Sequence, residues 1–237
     1  MKFLNLLPVL LLFVTVNLSA QNESYDSRAW FEKAKQHLAN DHLKDAIKEY
    51  SKISVSDSLY PEIVTPLSYC LLGTKQEEKA IEILQLAIQN FEYNENLNFY
   101  YNNLIEAYKQ LEQYDNLIKA ATQALSFFPF DDELYFDLAV GHFGLKDYEQ
   151  AFAEAEKGIE INPFSTDNHT MLGDIYYKNG RMAEALMMYN IALLFGNNVN
   201  YLGIANTNCS KDPRNAKPIK ATFQSQALDQ IRSEEHT

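Results

Sequence analysis

Five short stripes of small and apolar residues recur along the chain. They are Ala46-Tyr50-Ile53, Ala80-Leu84-Ala87, Leu117-Ala121-Ala124, Ala151-Ala155-Gly158 and Ala185-Tyr189-Ala192. Each has an i, i+4, i+7 spacing, which puts its three members on one face of an α-helix. The first members lie 34 residues apart, except from Ala80 to Leu117, where the step is 37. The extra residues fall near Tyr93-Asn94-Glu95-Asn96. Small side chains dominate because a neighbouring helix must approach closely where it crosses. Pro129 and Pro163, again 34 apart, follow two of the stripes. Proline lacks an amide donor, so it stops one helix and suits the first turn of the next.

A second stripe precedes each of these, on a helix of its own. The clearest is His169-x-x-Leu172-Gly173-x-x-Tyr176, with Gly180 in the turn that follows. Tyr135, Leu138, Ala139 and His142 keep the same spacing, as do Tyr101, Leu104, Ile105 and Tyr108. Trp30 and Ala34 fit at two sites, whereas Lys33 and His37 depart. The second unit, with Val64, Leu67, Ser68 and Leu71, is the weakest, because Pro66 falls where a helix should run. Its helix is expected to start with Thr65 as N-cap and Pro66 in the first turn.

The repeated W-x-x-L-G-x-x-Y-like spacing and the period of ~34 residues resemble the tetratricopeptide repeat. The resemblance spans residues 27–199 as five units, 27–60, 61–94, 98–131, 132–165 and 166–199. It implies an all-α fold, a right-handed superhelical solenoid of about five helical hairpins. One hairpin cannot bury both of its apolar faces, so the units must stack. The first helices would then line the concave wall and the second helices the convex one.

Both ends carry separate expectations. Residues 1–20 read as a signal peptide: Lys2, a mostly apolar run from Leu4 to Val16, then Leu18-Ser19-Ala20 before Gln21. The run falls short of the ~20 residues needed to span a bilayer. An exported chain, periplasmic or secreted, with no membrane span after cleavage is therefore expected. Beyond the last unit, residues 200–231 form a polar C-terminal segment. Within it, Phe223, Ala227 and Ile231 would share one face of a short capping helix. Residues 232–237, Arg-Ser-Glu-Glu-His-Thr, are one reading frame of a widely used sequencing adapter, so native sequence is expected to continue past Ile231.

Composition narrows the function classes. The formal net charge of −12 argues against nucleic acid as a partner, because phosphate needs a basic surface. Two cysteines, Cys70 and Cys209, lack the spacing of a metal or redox motif and are read as unpaired thiols. There is no Gly-rich phosphate loop, H-E-x-x-H or G-x-S-x-G, so no enzyme activity and no cofactor is expected. His37 and His42 are five apart and would not share a helix face, so no metal site is expected. Asp131-Asp132-Glu133 reads as the cap of a helix start. Phe127-Phe128-Pro129-Phe130 reads as packing between hairpins.

Tetratricopeptide proteins often bind extended peptides on the concave wall. Projecting the first helices inward places Phe31, Phe99, Phe136, Phe143 and Tyr177 there. Glu32, Glu106, Glu133, Asp137, Asp167 and Asp174 join them, with Lys35 and Lys109 as the few bases. Asn102 and Asn103 are present, but the Lys/Arg set of a carboxylate clamp is not. The expectation is an exported scaffold or adaptor whose groove takes a basic or aromatic segment of a partner protein. The alternative is the non-catalytic N-terminal part of a larger exported enzyme or envelope protein.

Overall fold

A computed structural model describes residues 26–91 and 95–196. The expected signal peptide, the C-terminal segment and the adapter-like tail lie outside the described residues, as does Cys209. Among the described residues there are ten helices and no strand. They are α1 (26–39), α2 (Leu43–Tyr50), α3 (Tyr60–Gly73), α4 (Glu77–Asn90) and α5 (Leu97–Gln110), then α6 (Tyr114–Phe127), α7 (Asp132–Gly144), α8 (Tyr148–Ile161), α9 (Thr166–Lys178) and α10 (Met182–Phe195). The ten helices pair into five antiparallel hairpins, stacked as a superhelical solenoid.

Each hairpin reverses in the same way. A turn of three residues joins its two helices, and the middle residue is left-handed: Asp41, Lys75, Glu112, Lys146 and Gly180, with φ between 54° and 73°. The next residue returns its N–H to the carbonyl five positions back. His42 reaches His37, Gln76 reaches Leu71, Gln113 reaches Tyr108, Asp147 reaches His142 and Arg181 reaches Tyr176, all at 2.9 Å. A second bond joins each left-handed residue to the carbonyl three back. This is the Schellman closure, which satisfies carbonyls that a helix end would otherwise leave open. Links between hairpins differ instead in length, spanning 51–59, 91–96, 128–131 and 162–165.

All fifteen stripe residues are buried. Small side chains let the helices close on one another. A Cβ on Gly158 would lie 2.3–2.5 Å from the Asn168 amide, which is itself fully buried. The buried residues form one large cluster from Phe31 to Leu138, a second around Ala139, Ala151 and Leu172, and a third of Ala185 and Tyr189. Cys70 is a free thiol inside the first, and burial pushes its pKa up to about 11.

Two helix limits differ from the sequence expectation. Helix α3 begins at Tyr60, not Thr65, and carries Pro66 in its interior. Pro61 sits in the first turn, where the missing N–H costs nothing. Interior Pro66 costs on the order of 3 kcal/mol. Burial of Tyr60, Ile63 and Val64 offsets it, at about 1.5–3 kcal/mol per large apolar side chain. Helix α2 stops at Tyr50, so Ile53 is buried from a turn and not from the helix.

Candidate functional site

The odd-numbered helices lie side by side, α3 against α5 and α7 against α9. They form the wall on which the binding residues were expected. Phe99 stands 53% exposed, and Glu32 and Glu133 are also exposed. Phe31 departs from expectation. It is buried edge-on against Tyr50 at 6.2 Å and belongs to the core. Its ring faces Tyr50 of α2, the partner helix of its own hairpin. Phe136, Phe143 and Tyr177 are half-buried. Phe143 meets Tyr148 edge-on at 5.2 Å, and Tyr177 packs on the Ala185–Tyr189 cluster.

Several polar wall residues are spent on holding neighbouring helices together. Asn103 donates to Ser68 Oγ at 2.7 Å and to the Thr65 carbonyl at 3.3 Å, tying α5 to α3. Lys109 bridges Asp137 at 3.0 Å and Glu106 at 3.4 Å, with its ammonium 5.9 Å from the Phe136 ring centre. Burial opposes the Lys109 charge, but Asp137 and Glu106 hold it above the ordinary lysine range. Asp137 is pushed up by burial, against the pull of Lys109. Asp174 accepts from Tyr189 Oη at 2.6 Å, and burial raises it despite that bond. Glu32 pairs weakly with Arg28 at 3.9 Å and Lys35 at 4.0 Å.

Together with Asp137, an acidic band runs over the first two turns of α7 and the start of α9. Asp131 caps α7 as expected, accepting from the Glu133 amide at 3.1 Å. Glu133 is raised first by partial burial, then by repulsion from Asp131, Asp132, Asp137 and Asp167. Five carboxylates thus share one field, and Lys109 is the cation bonded into it at Asp137. The band offers negative charge to a cationic group.

Two features escaped the sequence reading. Phe130 is 83% exposed, so the turn at Pro129 presents an aromatic that packing was expected to bury, and Phe164 after Pro163 is 67% exposed although edge-on to Phe195 at 5.0 Å. Only Phe127 and Phe128 of that run pack inward, Phe127 on Tyr101 at 6.1 Å. The recurrence of Phe after Pro129 and Pro163 was the available signal. A cleft of about 380 Å³ also lies between α8 and the α9–α10 turn, lined by Tyr148, Phe152, Tyr176 and Arg181.

A stacked row of Schellman-closed helical hairpins defines a tetratricopeptide-type solenoid. Residues 132–165 and 166–194 match the tetratricopeptide repeat family. The chain is similar to the small glutamine-rich tetratricopeptide repeat-containing protein 2 of Saccharomyces cerevisiae, 33% identical over 82 residues. That match takes in 35% of this chain and 24% of the yeast protein's own length. Among solved structures, MamA (residue 41 to its end) from Desulfovibrio magneticus RS-1 superposes with a TM-score of 0.61 at 13% identity, covering 72% of this chain and 94% of that one. TTC0263, a thermophilic tetratricopeptide protein of Thermus thermophilus, gives 0.59 at 16% identity over 78% of this chain and all of its own. The chain carries tetratricopeptide repeats, and its fold is that of a tetratricopeptide solenoid. No helix among the described residues is long and apolar enough to cross a membrane.

Proposed function

We propose that this chain is an exported, non-catalytic scaffold whose inner wall holds a basic segment of a partner protein. The observation that carries the reading is the acidic band of Asp131, Asp132, Glu133, Asp137 and Asp167. Half-buried Phe136 on the same helix and exposed Phe99 on the preceding inner helix offer aromatic contact. Charge steers the encounter, and desolvated aromatic contact supplies most of the affinity. Export is supported by the order of basic, apolar and small residues in positions 1–20. N-terminal sequencing of exported material should begin at or near Gln21.

Glu133 and Asp167 are the residues to change, because both are exposed. Asp137 and Asp174 are already bonded within the fold, so altering them would confuse binding with stability. The double variant Glu133→Lys, Asp167→Lys should keep its helical spectrum and recover less partner from the exported fraction. Capture by the native chain should weaken as salt rises, since exposed charges are screened beyond about 10 Å at 0.1 M. Equal recovery of the same partners with the same salt dependence would place the binding site elsewhere.

A further inference from the structure

The closure of the first hairpin sets two imidazoles and a carboxylate together. His37 lies in α1, His42 is the last residue of the turn, and Asp45 is in the first turn of α2. One ligand atom from each comes within 4.8 Å of the others. The expectation that His37 and His42 are kept apart assumed one continuous helix. The chain leaves the helix after residue 39, and left-handed Asp41 turns it back so that the His42 amide bonds the His37 carbonyl at 2.9 Å. The ring centres are then 6.3 Å apart.

The same two backbone positions meet in the last hairpin, where they hold Tyr176 and Arg181. There the guanidinium sits 4.6 Å from the ring centre. The other hairpins place Leu71 and Gln76, Tyr108 and Gln113, or His142 and Asp147 in this pair. Only the first puts an imidazole at both positions, and it adds Asp45 from the following turn.

We propose that His37, His42 and Asp45 bind a divalent transition cation of the zinc class. Neutral imidazole suits zinc, copper and nickel and does not suit magnesium or calcium. A tetrahedral ion with bonds of about 2.0–2.2 Å needs its ligand atoms roughly 3.3–3.5 Å apart. Small side-chain rotations close the remaining gap. Among the described residues, none of the three side chains is committed to a hydrogen bond or ion pair that rotation would break. His42 and Asp45 are exposed and His37 half-buried, so an ion has direct access. Three protein ligands leave a fourth position for water or for a donor from another molecule. The ligands come from both helices and the turn, so the ion would clamp the hairpin at its closed end.

The test is calorimetric titration of Zn(II) into the untagged full-length chain at neutral pH, with Mg(II) as a control. One saturable Zn(II) site is expected, with no Mg(II) binding at the same concentrations. His42→Ala should weaken that site by more than the roughly 10–100-fold that loss of a supporting group costs at metal centres. Asp45→Asn should weaken it too, and His236→Ala should leave it unchanged. Circular dichroism of each variant separates loss of binding from loss of fold. Absence of saturable Zn(II) binding, or unchanged affinity in folded His42→Ala and Asp45→Asn, would overturn the proposal.

Discussion

Gly158→Ala separates packing from helix propensity, because the two predict opposite signs. Alanine is better than glycine in a helix interior by about 1 kcal/mol, so propensity alone predicts a more stable protein. The packing predicts the reverse. The new Cβ would sit 2.3 Å from Asn168 Nδ2 and 2.5 Å from its Cγ and Oδ1. Asn168 is fully buried and cannot swing into solvent. Its Nδ2 donates to the Asp132 carbonyl at 3.1 Å and to Ser165 Oγ at 2.9 Å. Displacing it breaks two hydrogen bonds, each worth about 0.5–1.5 kcal/mol. Overpacking a tight contact adds roughly 1–3 kcal/mol. Set against the propensity gain, the net is a destabilisation of about 1–5 kcal/mol. Urea unfolding followed by far-ultraviolet circular dichroism measures it. In a double-mutant cycle, Asn168→Ala should couple to Gly158→Ala by about 1 kcal/mol or more, since removing the amide removes the obstacle. A Gly158→Ala protein as stable as the parent would refute the close approach of α8 and α9.

Other perturbations test the remaining layers of the structure. Ala151 is fully buried between hairpins, so Ala151→Arg should cost on the order of 3–5 kcal/mol and lower the melting temperature, because it buries an unpaired charge. Lys146 has φ 64°, and Lys146→Gly should stabilise by about 0.5–1 kcal/mol in the same urea assay. There, relief of left-handed strain of roughly 1–2 kcal/mol outweighs the backbone entropy glycine adds. Burial raises Asp174 above its ordinary value. Its favourable contribution is therefore full below the unfolded pKa of about 3.9 and is lost as pH rises through the folded one. Asp174→Asn should thus gain on the parent in urea midpoint between about pH 4 and neutrality.

The repeat was legible because its signal is geometric. A helix crossing favours small side chains, and that requirement returns every 34 residues from Leu117 through Ala151 to Ala185. The burial of every stripe residue follows from it. Helix limits were less legible, since a proline is a local signal that tertiary packing can override, as at Pro66. Exposure on the wall was harder still. Phe31 and Phe136 occupy the same repeat position, one residue after Trp30 and Tyr135, yet the first is in the core and the second half-buried. The Lys109–Asp137 pair joins different hairpins, so no local pattern announces it. The approach of His37 and His42 depends on a left-handed residue that is aspartate, not the glycine that would have flagged it.

The contrast between fixed reversals and variable links gives the chain a division of labour. Every three-residue reversal is closed by its own backbone bonds. Length varies in the links, from four residues at 128–131 to nine at 51–59, and in α2, which has eight residues where the other second helices have fourteen. The reversals therefore act as rigid knuckles and the links as adjustable joints. An insertion in a link shifts the angle between consecutive knuckles while leaving each one intact. The curvature of the wall can in this way drift over evolutionary time without any unit having to refold.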